Sequence, residues 1–69
     1  MTATDSIILN GAPHELGQAC SVTRLLELLA LHGPVVVEHN GTALFPQHFD
    51  CTMIAPGDTV EIVSIVAGG

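Results

Sequence analysis

The sequence predicts an α+β domain in which one helix covers a face of a small mixed sheet, and three observations predict it. Two Asn-Gly pairs, Asn10-Gly11 and Asn40-Gly41, each separate extended apolar segments. One stripe of apolar residues, Val22, Leu25, Leu26 and Leu29, recurs at the spacing of a single helical face. A β-branched run from Thr59 to Val66 supplies the longest strand. A lone helix can bury its stripe only against a sheet, so the first and last strands are expected side by side in the middle of that sheet.

The elements follow in chain order. Asn-Gly provides the two positive-φ positions of a type I′ turn, which makes a hairpin of Ser6 to Leu9 and Ala12 to Leu16. Ser21 is suited to cap the helix, because its hydroxyl can accept from a free backbone N–H of the first turn. Gly33-Pro34 is expected to end it, since proline cannot continue a helix. The segment "VVVEHNG" is a strand reaching the second turn, a short strand near Thr42 to Phe45 follows, and Pro46 closes it. Gln47 to Met53 reads as irregular or a single turn, and the Pro-Gly of "APGD" at Ala55 to Asp58 as a turn. No repeat, linker or low-complexity segment interrupts the pattern.

Length and charge exclude several functions. A chain of 69 residues is one small domain that buries only ~60% of its unfolded surface, too little for a deep catalytic cleft; no catalytic residue is assigned. With Phe45 and Phe49 as the aromatics, the core must be aliphatic. The single basic side chain is Arg24, against seven carboxylates, for a net charge of −6. A nucleic-acid partner is therefore excluded, because nothing would displace phosphate counterions; a basic protein partner is the expectation. Lysine is absent, so no side-chain amine is present to form a Schiff base or accept an isopeptide bond. Cys20 and Cys51 match no disulfide framework or zinc pattern and are read as reduced and structural. No run approaches the ~20 apolar residues of a membrane span and no signal segment is visible, so the expectation is a cytoplasmic protein without a membrane partner.

The last residues, "VEIVSIVAGG", pose the functional question. An apolar strand runs into two glycines, the residues that lose most freedom on ordering. Either the pair is incidental or the tail must enter a space that side chains cannot. The expected organisation is a domain over 1–66 and a flexible tail over 67–69.

The order of hairpin, helix and strands ending in "PGDTVEIVSIVAGG" resembles the ubiquitin-like β-grasp sulfur carriers, and within them the ThiS-type carriers of thiamin (thiazole) biosynthesis. The resemblance covers essentially the whole chain. Its most specific part is Gly57-Asp58 at the turn, Val60-Glu61-Ile62 entering the strand, an apolar residue before Ala67, and Gly68-Gly69. Asn40-Gly41 and Pro46 match the family's middle section. Gln47, His48 and Phe49 depart from a basic residue and a tryptophan frequent there. The fold and tail are shared by the small subunit of molybdopterin synthase and by carriers for specialised metabolites or cysteine synthesis. A ubiquitin-like modifier, whose product would be an isopeptide conjugate, is the alternative from a different class.

The resemblance implies a β-grasp with a mixed four- to five-stranded sheet and one main helix packed across it. It also implies a protein co-substrate rather than an enzyme. Gly69 would carry first AMP and then sulfur as a terminal thiocarboxylate, a 1-thioglycine, while Gly68, Ala67 and Val66 would be the tail recognised by partners. Those partners would be an E1-like, ThiF-like adenylyltransferase that uses ATP, a sulfur donor such as a cysteine desulfurase persulfide, and a ThiG-like thiazole synthase. No cofactor or metal is expected to be bound.

Alternation along the last strand suggests where such partners dock. If Val60 and Ile62 face the helix, then Glu61, Val63 and Ile65 face outward. Val63 and Ile65, with Val36, would form an apolar patch next to the tail. The other parity turns Ser64 outward and places both residues in the core. The four histidines, His14, His32, His39 and His48, lack metal-site spacing and are read as solvated, as is Glu27 on the helix.

Overall fold

The last strand of the chain lies at the centre of the sheet. The computed structural model describes residues 5–65. Within them β1 (Ser6–Leu9), β2 (Ala12–Glu15), β4 (Val35–His39), β5 (Thr42–Leu44) and β7 (Thr59–Ser64) form one sheet in the order β2-β1-β7-β4-β5. β7 runs parallel to β1 and antiparallel to β4, and both hairpins are antiparallel. A second, two-stranded sheet pairs β3 (Cys20–Ser21) with β6 (Met53–Ile54). The mixed sheet with a single helix, α1 (Val22–Leu28), is the β-grasp arrangement expected.

Both Asn-Gly pairs adopt the predicted turns, with Asn10 at φ 51° and Gly11 at 85°, and Asn40 at 50° and Gly41 at 85°. Their side chains also splice the hairpins onto β7. The Ile62 N–H donates to Asn10 Oδ1 over 2.7 Å and Asn10 Nδ2 donates to the Ile62 carbonyl over 3.2 Å. On the other flank the Thr59 N–H donates to Asn40 Oδ1 over 2.8 Å, and the Asn40 N–H donates to the Thr59 carbonyl over 2.7 Å. Central β7 is thus pinned from both sides by the turns themselves.

Ser21 caps α1 as predicted, accepting from the Arg24 N–H at 3.0 Å. The helix ends earlier than Gly33-Pro34. Leu31 N–H donates to the Leu26 carbonyl and Ala30 N–H to the Glu27 carbonyl, both over 3.0 Å, with Ala30 at φ 57°. This is the closing pattern usually occupied by glycine at its left-handed position, and an alanine there leaves the stop without its usual sequence signal. Four further boundaries differ. β2 ends at Glu15 rather than Leu16, Met53–Ile54 pairs as a strand at the end of the segment read as irregular, β5 stops at Leu44, with Pro46 opening a 3-10 turn over Pro46–His48, and β7 ends at Ser64, short of Val66, which lies outside the described residues.

The core lies between the helix and one sheet face: Ile7, Val22, Leu25, Val37, Phe49, Ile54, Val60 and Ile62. It is aliphatic apart from Phe49, which the 3-10 turn delivers. Each fully buried side chain of this size contributes about 1.5–3 kcal/mol relative to exposure.

Candidate docking face

Strand parity decides which residues can meet a partner. On β7, Val60 is fully buried and Ile62 is 6% exposed, whereas Glu61 and Val63 are exposed, Val63 at 59%. On β4, Val37 is buried while Val36 and Glu38 face outward. The helix-facing set is therefore the one beginning at Val60, and Ile65, 51% exposed, continues the outward set beyond the strand. Its N–H donates to the Pro34 carbonyl over 3.0 Å, which carries the β7–β4 pairing one step past the strand end. Ser64 is also exposed, because it ends the strand.

The register arranges the outward residues in rows. Val63 lies opposite Val36, and Glu61 opposite Glu38. Val37 pairs with Leu44, so continuing that register by one residue brings Phe45 opposite Val36. Phe45 has extended backbone (φ −88°, ψ 149°) and, among the described residues, is the most exposed large apolar residue, at 64%. An apolar row of Val63, Val36 and Phe45 thus crosses three strands, with Ile65 on the side toward the C-terminus. Ile8 adds a further exposed apolar residue on β1. Val36, Val63 and Ile65 are the outward residues expected from the sequence, whereas Phe45 joins them unexpectedly; its two-residue spacing from Ala43 carries the signal.

The opposite end of β7 is held by polar contacts. His39 Nε2 and Asp58 Oδ2 are 2.7 Å apart, both groups about four-fifths buried, and Asp58 Oδ2 also accepts from the Ala55 N–H at 2.9 Å. Burial pushes the Asp58 carboxyl up, but hydrogen bonds from His39, the Ala55 N–H and Asn40, with the attraction of His39, outweigh it and hold it below its ordinary value. His39 is therefore a structural partner of the Ala55 to Asp58 turn rather than a solvated histidine. His14 is half-buried, and His32 and His48 are exposed. Among the described residues no three His, Cys, Asp or Glu side chains gather as a metal site.

Cys20 is half-buried beside the core, but Cys51 is exposed, its thiol 3.5 Å from the His48 carbonyl, so packing does not account for it. Glu27 is solvated on the helix and pairs with Arg24 at 3.1 Å. Thr23 hydrogen-bonds Asp50, tying the helix start to the loop after the 3-10 turn. No helix among the described residues is long and apolar enough to cross a membrane. The tail residues Val66, Ala67, Gly68 and Gly69 lie outside the described residues, and so does the expectation of a flexible tail.

Comparison with known proteins places the chain and its fold in one family. The chain is 37% identical over 65 residues to protein ycf40 of Porphyra purpurea, covering 93% of this chain and 92% of that one. It superimposes with a TM-score of 0.80 and 34% identity on the crystal structure of the thiamine biosynthesis protein ThiS from Geobacter metallireducens, covering 93% of this chain and 99% of that one. The solution structure of the thiamine biosynthesis protein from the same organism gives the same score and identity, covering 87% of its chain. The ThiS family model matches residues 7–69, which takes in the sheet, the helix and the terminal Gly68-Gly69; the chain belongs to the ThiS family.

Proposed function

We propose that the chain is a sulfur carrier of thiamin biosynthesis that works through the carboxylate of Gly69. The observation that carries this reading is the family match over residues 7–69, because it spans the folded body and runs through the terminal diglycine. A carboxylate resists substitution, since its leaving group would be oxide, and it must first become a mixed anhydride. A ThiF-like adenylyltransferase would supply that step: a Gly69 carboxylate oxygen attacks the α-phosphorus of ATP and pyrophosphate departs. Sulfur from a sulfide or persulfide donor then displaces AMP at the acyl carbon. With a cysteine desulfurase persulfide, a thiol must afterwards reduce the sulfur–sulfur bond to leave the thiocarboxylate. A ThiG-like thiazole synthase would accept that sulfur.

The chain's own contribution is presentation. Glycine at the last two positions adds no Cβ, so a narrow, water-excluding channel can admit the backbone. Recognition before the chemistry falls to the outward apolar residues Val36, Val63 and Ile65, extended by Phe45, since an exposed apolar patch on a small domain marks a partner site. The carrier is consumed and regenerated rather than acting as a catalyst.

Removing the gene from its source organism tests the pathway. Growth should then require thiamin or its thiazole, and the intact chain should restore independence while a chain lacking Gly69 should not. Normal growth without either supplement, or a deficit confined to molybdenum-cofactor enzymes, would overturn the assignment.

A further inference from the structure

Beside the apolar row the sheet carries a charge arrangement that no ion pair among the described residues neutralises. Glu38 and Glu61 are directly opposed on β4 and β7, both exposed on the outward face. Directly opposed side chains stand about 4.5–5.5 Å apart at Cβ, and like charges there destabilise a sheet. The neighbours on that row offer no cation. Glu38 faces Ala43 on its other side, and continuing the β1–β7 register past Leu9 opposite Val60 brings Asn10 beside Glu61. The sole Arg or Lys of the chain, Arg24, is engaged with Glu27 on the helix. His39, next in sequence to Glu38, belongs to the other face and is held by Asp58.

We infer that the outward sheet face docks a protein surface that lays apolar side chains on Val63, Val36 and Phe45 and inserts one arginine or lysine between Glu38 and Glu61. Charge complementarity selects this occupant. A second copy of the chain would bring another acidic pair and, among the described residues, no Arg or Lys beyond the Arg24 engaged with Glu27, so the pair opposes self-association and favours a basic partner. A guanidinium can bridge two carboxylates at this spacing through its planar fork. The acidic pair thus weakens the free sheet slightly and becomes favourable only when the partner is seated, which gives orientation as well as attraction. The inference rests on the carrier reading, because it supposes that a partner engages this face on the way to the tail.

Binding of the purified ThiF-like adenylating enzyme without ATP, followed by titration calorimetry at low and high salt, tests it. The double substitution Glu38→Gln with Glu61→Gln should weaken binding ~10-fold at low salt and flatten its salt dependence. The single substitution Glu61→Gln should meanwhile raise the melting temperature of the free chain by a few degrees, because it removes the opposed charge. Glu27→Gln, which removes one charge from the helix side, should leave affinity unchanged. A loss with Glu27→Gln equal to that with Glu61→Gln would overturn the inference in favour of a diffuse net-charge effect. Binding indifferent to the double substitution would overturn it alone, since sulfur loading of the tail could still proceed. No binding by the unaltered chain would overturn it together with the docking role of this face.

Discussion

The two faces of the same pair of strands are built to opposite ends. On the helix side, Val37, Val60 and Ile62 are almost wholly removed from water and share one core cluster with Val22 and Leu25 of α1. On the outer side, Val36, Val63 and the following Ile65 keep about half or more of their surface exposed, beside the directly opposed carboxylates of Glu38 and Glu61. Side chains one residue apart thus differ in whether they are buried in the core or left facing water. The difference teaches that hydrophobicity alone does not mark the core of this domain; parity does. Val36 and Val37 are the same residue type with opposite fates.

Substitutions can break that comparison, and the largest effect is expected on the inner face. Ile62→Ala should destabilise the domain by about 2–5 kcal/mol, because it leaves a cavity against the helix that a small core cannot refill. In a chain this short such a loss is a large part of the total stability, and chemical denaturation monitored by circular dichroism will register it. A loss below about 1 kcal/mol would mean that the helix repacks onto the sheet and that the inner face is less rigid than its burial implies.

The outer face predicts the reverse split. Ile65→Asp should change stability by no more than about 0.5 kcal/mol, while weakening binding to the adenylating enzyme by about 1–3 kcal/mol, since a carboxylate must then be desolvated in an apolar contact. Unfolding of this variant would assign Ile65 to the core and shift the parity by one.

The smallest expected effect sharpens the comparison at the rim, where neither face dominates. The Asp58 carboxyl is held below its ordinary value in the folded protein. Its contribution to stability is therefore fully present above about pH 4 and is lost as pH falls through the depressed folded value. Asp58→Asn should be less stable than the unaltered chain near neutral pH, and the gap should narrow on acidification. A gap independent of pH would assign the effect to packing rather than to the charge.

Much of this was legible in the sequence, for identifiable reasons. Asn-Gly turns, the i, i+3, i+4, i+7 stripe and the β-branched run are local signals, and each produced the element it predicts. The outward set at Val36, Val63 and Ile65 followed from alternation once Val60 was placed inside. What was missed depends on residues distant in the chain. Ala30 stops the helix through hydrogen bonds that tolerate a non-glycine residue at positive φ, which no glycine search detects. His39 looked solvated because its partner Asp58 lies on another element. The opposed Glu38 and Glu61 are 23 positions apart and become a pair only through the β4–β7 register. Phe45 joins the face only through the register of β5 beside β4.

The central claim, that the outer face serves a tail whose Gly69 carries sulfur, meets its most direct test in mass spectrometry of the loaded protein. Incubated with the adenylating enzyme, ATP and a sulfur source, the intact chain should gain the mass of sulfur in place of oxygen, localised to its last peptide. A chain lacking Gly69 should fold normally by circular dichroism yet gain nothing, because its carboxylate falls short by one extended residue, ~3.3–3.6 Å, a misplacement that catalysis does not tolerate. Equal loading of the shortened chain, or a mass gain elsewhere than at the last residue, would contradict the account.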